Sequence, residues 1–335
     1  MILVGQGVRR FARAAVPARL RAAIHLVRAH ARISRGQGLG AYLRWTMLKA
    51  RLAARRPRVE SVYQFVSGDA ARAQRRSETV FVFGSGYSLT ELRPDEWALF
   101  AAHDTLGFSG FIYQRWVRTD FHLVRGWDYG EAEAHRRWLR SARAYATTIA
   151  ENPQFSRTVF VLQDEYPAVF ARTLLGYRLL PGGARVVPYR TFRDDSMLPS
   201  RRLEDGLTHG TGTLCDAVNL AYVLGWTRIV LVGVDLYDSR YFWAPPESTI
   251  GFADSGEMVA TRVNFRGTAA VETHPVVRNG LIDLMAQWGA VFRQHGVRLE
   301  VYNRRSLLTA VLPPFDPSSL SHGEGSPSVV SPRPA

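Results

Sequence analysis

Residues 207–241 read LTHGTGTLCDAVNLAYVLGWTRIVLVGVDLYDSRY, and residues 79–89 read TVFVFGSGYSL. Each stretch contains a short apolar run, 79–83 or 228–232, that is rich in β-branched and aromatic residues and is followed directly by glycine. Such runs are typical of buried β-strands. The segment 213–224, which precedes the second run, predicts a helix that begins after small and hydroxyl residues.

The same alternation of strands and helices continues along the chain. Further strands are expected at 104–108, 120–124, 158–162, 184–187 and 298–302, and further helices at 131–149 and 276–295. This pattern predicts a Rossmann-like α/β fold, with a mostly parallel sheet and helices on both faces. Ligands of such sheets bind beyond the carboxyl ends of the strands, so the loops at those ends are the first candidates for a site.

Charge divides the chain into unequal parts. The formal net charge is +14, yet residues 1–58 hold fourteen basic and no acidic residues, while the remainder holds 29 of each sign. We therefore expect a basic amphipathic helical extension over 1–60 and a Rossmann-like domain over 61–315. Residues 316–335, rich in Ser, Pro and Gly, are expected to be disordered.

The basic extension predicts an anionic membrane surface as a partner through residues 1–58. No run approaches the roughly 18 apolar residues of a membrane span, so we expect a cytoplasmic protein, peripheral on the inner face of the membrane. A helix docked on the core, a poorly ordered extension and a transit peptide are the alternatives. Because the rest of the chain is neutral, nucleic acid is not an expected partner; a homo-oligomer stays open.

Metal and cofactor chemistry has little support in the sequence. Cys215 is the single cysteine, which excludes an intramolecular disulfide and a cysteine-based zinc site, and its apolar setting predicts a packed core thiol. No Asp-x-Asp follows a predicted strand, so neither a metal nor a cofactor is expected. A divalent ion at Asp235 is the alternative.

The first candidate loop is Gly84, Ser85 and Gly86, directly after the strand at 79–83. Glycines there let a phosphate or ribose approach the backbone N–H groups, and Ser85 offers a hydroxyl. The pattern matches neither GxGxxG nor a P-loop. A tight strand-to-loop turn is the alternative interpretation.

The second candidate stretch, 208–213, enters the helix at 213–224. Thr211 or Thr213 can cap this helix, whose N-terminus would be an anion site, although a plain capped helix is the alternative. After the strand at 228–232, Asp235 could orient a ribose hydroxyl or a neighbouring loop.

Two tyrosines follow Asp235 in the same loop. Tyr237 and Tyr241 could donate phenolic hydroxyls to a phosphate without a metal. Packing at the rim of the domain is the alternative role for both.

The ordered set of motifs over residues 78–312 resembles the bacterial lipooligosaccharide sialyltransferases. The set is GSGYSL, a small-residue loop at 107–109, GTGT before a helix and strand, GVDLY, a His before a helix, and GVRLEVYNRRSLL. It is also similar to their Rossmann-like relatives, including archaeal pterin pyrophosphokinases. The resemblance implies a metal-independent inverting glycosyltransferase. Its donor would be a nucleotide sugar, CMP-linked and carrying sialic acid or a related acidic sugar, and its acceptor a cell-surface glycan or a lipid-linked glycan.

The resemblance also implies donor-binding roles by position. Ser85, between Gly84 and Gly86, stands where the family has a donor-contacting Asn, and Ser109 falls near a second such Asn. Thr211-Gly212 matches a Ser/Thr-Gly pair at the cytidine or ribose end. The two Ser-for-Asn departures bear directly on whether the donor is CMP-sialic acid.

The resemblance also implies which residues bind the phosphate of the leaving group and which residue acts as the general base. Tyr237 matches the phosphate-binding tyrosine, Tyr241 its partner, and His274 the general base. A histidine with a pKa near 6.5 is suited to removing a proton from an acceptor hydroxyl at neutral pH. His274 could instead be a helix-entry residue bonded to backbone. His209 is a rival within reach of the site, whereas His122 lies inside a predicted strand and is expected to be structural.

The polar segment 242–272 shows little periodicity, and such a long stretch inside a compact domain predicts a lid or binding loop. A disordered insertion is the alternative. Two other functions also stay open at this stage. One is nucleotide-dependent pyrophosphoryl transfer, which would require Mg²⁺. The other is a non-catalytic polysaccharide-assembly protein, which the Ser-for-Asn departures favour.

Overall fold

The computed structural model describes residues 61–125, 134–164, 170–192, 197–238, 240–243, 248–252, 258–262 and 275–320, together with scattered positions between 40 and 54. Most of the predicted extension 1–60 lies outside the described residues, as do residues 321–335. In the part of the chain that is described, no helix is both long and apolar enough to cross a membrane.

Twelve strands are present in the described part of the chain. They are β1 (Gln64–Phe65), β2 (Thr79–Phe83), β3 (Asp104–Phe108), β4 (Phe121–Val124), β5 (Val159–Gln163), β6 (Arg185–Tyr189), β7 (Thr191–Phe192), β8 (Leu207–Thr208), β9 (Arg228–Val232), β10 (Ser248–Phe252), β11 (Met258–Arg262) and β12 (Arg298–Val301). Eight of them form one sheet in the order β1-β6-β5-β4-β3-β2-β9-β12, and every neighbouring pair is parallel. Two small two-stranded sheets pair β7 with β8 and β10 with β11.

The strand order reverses next to β2. From β2 the chain adds β3, β4, β5 and β6 outward on one side, and it later returns to add β9 and β12 on the other. The carboxyl ends of β2 and β9 therefore border the topological switch point, where crossovers leave in opposite directions. In open parallel sheets this crevice is where ligands bind.

Helices cover both faces of the sheet. They are α1 (Gly68–Arg72), α2 (Pro94–Ala101), α3 (Ala134–Ala150), α4 (Phe170–Gly176), α5 (Thr213–Val223), α6 (Pro275–Arg278) and α7 (Leu281–Gln294). Alternate residues of β2 show the two faces, since Phe81 and Phe83 pack in a cluster with α2, and Val80 and Val82 in a cluster with α5 and α7. The predicted Rossmann-like α/β fold is confirmed.

Aromatic side chains fill the α2 face beside the switch point. The Phe83 ring stacks on Phe111 at 4.6 Å between centroids and on Trp97 at 5.9 Å. Burying one such side chain stabilises the fold by about 1.5–3 kcal/mol, so this cluster fixes the strand end from which the first candidate loop leaves.

Two helices differ from their predicted bounds. The helix expected at 276–295 is divided into α6 and α7, because Gly280 between them has a φ of +80°, a left-handed conformation that interrupts a helix. The helix expected at 131–149 is described as α3, from Ala134 to Ala150. The helices α1, α2 and α4 are additional to those expected.

The ordered domain continues beyond 315. Asp316 caps a short 3₁₀ turn over Pro317–Ser319, and the Arg228 guanidinium donates to the Ser319 carbonyl oxygen at 3.3 Å. Leu320 is buried at the end of this segment. Disorder was expected from 316 onward, but residues 316–320 are ordered, because an arginine of the sheet holds the chain.

The segment 242–272 contains regular structure in its described part. The strands β10 and β11 form an antiparallel pair with Ile250 opposite Ala260. A β-branched run around Ile250 accounts for this pairing, which the sequence analysis did not predict. The rest of the segment, apart from 242–243, lies outside the described residues.

Candidate functional site

The loops after β2 and β9 approach each other closely at the switch point. The Gly84 N–H donates to the Val232 carbonyl and the Gly86 N–H to the Gly233 carbonyl, both at 2.8 Å. A Cβ atom on Gly84 would lie closer than 3.0 Å to the Gly233 oxygen, and one on Gly86 equally close to the Asp235 carboxylate. Both glycines are required by contact between protein loops.

Asp235 is the centre of this contact. The residue is 3% exposed, and its carboxylate accepts hydrogen bonds from the Ser88 N–H at 2.9 Å, from the Ser88 hydroxyl and from Asn303 Nδ2 at 2.9 Å. These donors join the loops after β2, β9 and β12. Of the two roles open to Asp235, the described contacts are those of a residue that orients neighbouring loops.

No metal cluster is formed by the described residues. Among them, no group of three or more His, Cys, Asp or Glu side chains is placed to hold an ion. Both carboxylate oxygens of Asp235 accept from protein donors.

Tyr237 lies beside the Asp235 carboxylate, at a charged corner of the site that Arg305 and Glu91 form. Asn303 Nδ2 is 3.5 Å from its hydroxyl, and the Arg305 guanidinium, which pairs with Glu91, lies 5.5 Å from its ring centroid. Burial raises the pKa of the Tyr237 phenol, which therefore stays protonated at neutral pH. Tyr237 can thus donate a hydrogen bond to an anionic group near a cation.

Tyr241 pairs with the first loop. It forms an isolated antiparallel bridge with Gly86, and the next residue, Phe242, donates its N–H to the Ser85 carbonyl at 3.2 Å. The Tyr241 ring lies 6.0 Å from that of Trp243, and burial raises the pKa of its phenol. The structure thus brings Ser85, Gly86 and Tyr241 together at the carboxyl edge of the sheet, where the carboxyl ends of the strands lie.

Two residues near the site adopt strained backbone conformations. Ser109 begins a 3₁₀ turn, Ser109–Tyr113, after β3 with a φ of +52°, and Leu236 follows Asp235 with a φ of +62°. Such left-handed conformations cost free energy in residues other than glycine, and they are found preferentially at functional sites. Because Ser109 follows β3, it lies at the same carboxyl edge as the loops after β2 and β9.

Two buried polar atoms beside the loops after β2 and β9 have no hydrogen-bond partner among the described residues. They are Ser85 Oγ and Trp243 Nε1. Ser85 is 9% exposed and was predicted to bind the donor, whereas Trp243 was not predicted at all. The sequence gives no local signal for Trp243, because the partnerless state of its indole N–H depends on contacts between distant loops.

The N-terminus of α5 lies at the same edge, on the opposite face of the sheet. At the other end of α5, Trp226 Nε1 donates to Asp104 at the start of β3, so Gly212 at the beginning of α5 is near the strands' carboxyl ends. Gly212 caps α5 without a side-chain hydrogen bond, so the prediction of a cap by Thr211 or Thr213 is wrong.

Small residues and a packed thiol surround this helix start. Gly212, with an extended φ of 176°, occupies the cap position, and the Thr211 hydroxyl lies 4.0 Å from the Cys215 sulfur. Burial raises the pKa of the Cys215 thiol, as expected of a core thiol. The described contacts of Thr211 and Gly212 are with Cys215 and Val276, and not with the loops at the switch point.

A second polar centre, which the sequence analysis missed in part, lies beside α5. The Asp216 carboxylate is fully buried and receives His209 Nδ1 at 2.9 Å, while Arg125 Nε, at the end of β4, is 3.8 Å away. An aspartate in the first turn of a helix, seven residues after a histidine, was the available signal. Such a carboxylate fixes the orientation of the imidazole.

The remaining histidines have different settings. His122 is fully buried in β4, its Nε2 lies 2.8 Å from the Tyr145 hydroxyl, and burial lowers its pKa to about 3. It is therefore neutral and structural in its contacts. His274 lies outside the described residues.

The chain matches no protein-family model and no curated protein sequence. Among solved structures it is similar to the MAf glycosyltransferase of Magnetospirillum magneticum AMB-1, with 15% identity, a TM-score of 0.41 and coverage of 77% of this chain. It spans 36% of that protein's length.

Two Campylobacter jejuni structures are also similar. The sialyltransferase CstII, solved with cytidine-5'-monophosphate, shows 12% identity, a TM-score of 0.37 and coverage of 71% of this chain and 85% of its own. The monofunctional alpha-2,3-sialyltransferase Cst-I shows 10% identity, a TM-score of 0.39 and coverage of 72% and 81%.

Proposed function

We propose that the protein is a glycosyltransferase that binds a nucleotide-sugar donor at the switch point and transfers its sugar to a cell-surface or lipid-linked glycan. One observation carries the proposal. The loops after β2, β3 and β9 converge where the strand order reverses, and two buried polar atoms, Ser85 Oγ and Trp243 Nε1, are left without protein partners. Buried polar groups normally have partners, so this place suits a polar ligand.

The donor's phosphate is assigned to the charged corner of the site. Tyr237 and Tyr241 keep their protons at neutral pH, so their hydroxyls can donate to a phosphate as negative charge develops on it. Arg305 adds a cation beside Tyr237. The leaving nucleotide would be stabilised by these groups of the chain, with Thr211 and Gly212 at the start of α5 proposed for its cytidine or ribose end.

The general base is proposed to be His274, as the resemblance implies. Val276, two residues later in the chain, has its Cγ1 atom 3.5 Å from the position that a Cβ on Gly212 would take. This contact brings the beginning of α6 to the carboxyl edge of the sheet, which supports a base at that edge. Such a base typically contributes about 10²–10⁴ in rate.

The acceptor is proposed to be at a membrane. The acid-free segment 1–58 carries the charge that anionic lipid attracts, with about 1 kcal/mol for each basic residue near the surface. Attachment at the inner face would bring the catalytic domain to lipid-linked acceptors. The CMP-linked acidic sugar implied by the resemblance is the first donor to try.

Thermal unfolding of the full chain with CMP, CDP, UDP, GDP or ATP, each with and without Mg²⁺, tests the proposal. At a hundredfold excess over Kd, a bound nucleotide stabilises the native state by about 2.7 kcal/mol. A shift with CMP in the absence of metal is the expected result. A shift only with ATP and Mg²⁺ would favour pyrophosphoryl transfer, and no shift with any nucleotide would favour a non-catalytic assembly protein.

A further inference from the structure

The polar centre beside α5 contains a ring nitrogen that the described protein contacts do not use. His209 Nδ1 lies 2.9 Å from the Asp216 carboxylate, whereas Nε2 of the same ring has no hydrogen-bond partner among the described residues. His209 is 3% exposed, and Nε2 belongs to this small exposed area, since the buried partnerless atoms of the described part of the chain do not include it. A ligand atom can therefore reach Nε2.

The charge of Asp216 is balanced without the histidine. Its carboxylate is fully buried, and Arg125 Nε lies 3.8 Å from the same Oδ2 oxygen that receives His209 Nδ1. The guanidinium supplies the opposite charge, so the pair of His209 and Asp216 does not require an imidazolium. In the neutral ring the proton lies on Nδ1, because a carboxylate can only accept, and Nε2 carries a lone pair.

Both the backbone before His209 and its ring are held by α5. The Thr208 N–H donates to Asn219 Oδ1 at 2.7 Å, and Asn219 is fully buried in α5. Asp216, which holds the ring, lies three residues earlier in the same helix. The lone pair of Nε2 is thus oriented before a ligand arrives, which lowers the entropic cost of binding.

The start of α5 also lies beside the segment that carries the proposed base. Val276 Cγ1 is 3.5 Å from the position of a Cβ on Gly212, which follows His209 by three residues. His274 precedes Val276 by two residues. Because the proposed base acts on the acceptor hydroxyl, the acceptor sugar is expected at the start of α5, next to His209.

The lone pair of Nε2 selects its ligand. It accepts only from an O–H or N–H group, which excludes ionised phosphate and carboxylate groups. A sugar hydroxyl can donate to Nε2, and sugar oxygens can accept from Arg125, whose side chain is 24% exposed and donates no hydrogen bond to a described residue. A neutral sugar ring therefore complements this pair better than an anion does.

We infer that His209 Nε2 accepts a hydrogen bond from a hydroxyl group of the acceptor sugar, other than the hydroxyl to which the donor sugar is transferred. This inference rests on the proposed function and adds a residue that selects the acceptor. Asp216 is a positioning residue, because it acts through the ring of His209. The reacting hydroxyl still loses its proton to His274.

Two substitutions of His209 separate binding from a structural role. His209→Asn keeps an N–H donor for Asp216 at the place of Nδ1 and has no atom at that of Nε2, whereas His209→Gln carries its amide at the place of Nε2. Nucleotide release by the full chain is measured with lipooligosaccharide as acceptor. The donor is CMP-sialic acid, UDP-glucose or GDP-mannose, whichever the wild type uses fastest.

The expected result is a change in the KM for the acceptor. In His209→Asn it should rise about 5-fold, the effect of one lost hydrogen bond, with kcat unchanged. His209→Gln should recover part of this loss. His122→Gln is the matched control, because it changes another buried histidine whose Nε2 already contacts Tyr145, and its acceptor KM should equal that of the wild type.

Three outcomes would overturn the inference while the wild type still transfers sugar, so that the proposed function stands. An unchanged acceptor KM in His209→Asn would leave His209 and Asp216 as a structural contact. A lower kcat at an unchanged acceptor KM would place His209 in the chemical step. A rise in the KM for the donor alone would assign the hydroxyl to the donor. If the wild type releases no nucleotide from any of the three sugars, the proposed function fails, and the inference fails with it.

Discussion

Two buried aspartates join loops at opposite edges of the same sheet. At the amino edge, Asp104 is fully buried and accepts from the Arg76 N–H at 2.9 Å, the Ser77 N–H at 3.1 Å and Trp226 Nε1 at 2.9 Å. At the carboxyl edge, Asp235 is almost as buried and accepts from Ser88 and Asn303. Each carboxylate is thus a hub that accepts hydrogen bonds from donors on two other segments of the chain.

What differs is the polar groups beside each hub. The indole N–H at the amino edge, that of Trp226, bonds to the aspartate, whereas the indole N–H of Trp243 at the carboxyl edge has no protein partner. Ser85 Oγ is left in the same state, as is the Thr79 Oγ1 atom at the amino edge. The comparison teaches that a buried carboxylate alone marks a structural junction, so the proposed ligand site depends on the position of the unpaired donors at the switch point and not on their being unpaired alone.

The largest expected effect is on the rate of sugar transfer, and it should distinguish His274, which precedes α6 in the chain, from His295. His274→Ala should lower the rate of sugar transfer by about 10²–10⁴ and leave nucleotide affinity unchanged, because the base acts on the acceptor hydroxyl. His295, which follows α7 at the amino edge and contacts Tyr222 at 2.7 Å, provides the control. Nucleotide release from CMP-, UDP- and GDP-sugars with lipooligosaccharide as acceptor measures both variants.

Equal transfer rates in His274→Ala and His295→Ala would contradict the assignment of the base. In that case His209, oriented by Asp216, becomes the group to replace next.

Replacing either aspartate should cost stability, but only one replacement should affect binding. Asp104→Ala and Asp235→Ala each leave several buried donors unpaired, with an expected loss of about 3–5 kcal/mol in the free energy of unfolding. Asp235→Ala also releases the loops around Ser85, so the nucleotide affinity of the folded protein should fall by about tenfold or more. Urea unfolding and calorimetry measure the two properties. Unchanged affinity in Asp235→Ala would remove the functional difference between the edges.

His122, between the two edges, gives a prediction for the dependence of stability on pH. Its pKa is about 3 in the folded protein and near 6.5 in an unfolded chain, so the folded state binds fewer protons between these values. Stability must therefore fall as the pH falls below 6.5, by about 2 kcal/mol at pH 4.5. The His122→Gln variant should therefore lose about 2 kcal/mol less stability than the wild type between pH 6.5 and pH 4.5. Identical pH profiles of stability for the wild type and the variant would contradict the assignment of His122 as neutral and buried.

The smallest effect distinguishes two glycines. Gly86→Ala would bring a Cβ against the Asp235 carboxylate although its φ of −66° suits any residue, so a purely steric loss of about 1–3 kcal/mol is expected. Gly182, before β6 at the amino edge, has no atom within 4 Å of the corresponding position. Gly182→Ala should change the free energy of unfolding by about 0.5 kcal/mol or less. Equal losses of stability in Gly86→Ala and Gly182→Ala would show that the contact between Gly86 and Asp235 accommodates an added methyl group.

The strands were predictable because their residues carry the signal locally. The runs at Thr79–Phe83, Asp104–Phe108 and Arg228–Val232 have the bounds expected of them, as β-branched and aromatic residues end at glycine or a polar turn. The helix α2 was missed because it is eight residues long and turns only two large side chains, Trp97 and Phe100, to the core.

The site was predictable only as a set of loops. Residue order indicated Gly84, Ser85 and Asp235, but the reason for the glycines, which is close approach to another loop, depends on the pairing of β2 with β9. The close approach of Trp243 to Gly110 depends on the meeting of two segments more than one hundred residues apart. Such long-range contacts leave no periodicity in the sequence.

Hydrogen exchange of the full chain with and without CMP, read by mass spectrometry, tests the central claim most directly. A nucleotide at the switch point should slow exchange in the peptides that cover 84–88, 109–113 and 233–243, and should leave the amino-edge peptides around Asp104 and Trp226 unchanged. Protection confined to other parts of the chain, in a protein that CMP stabilises, would contradict the claim that the nucleotide binds where the strand order reverses.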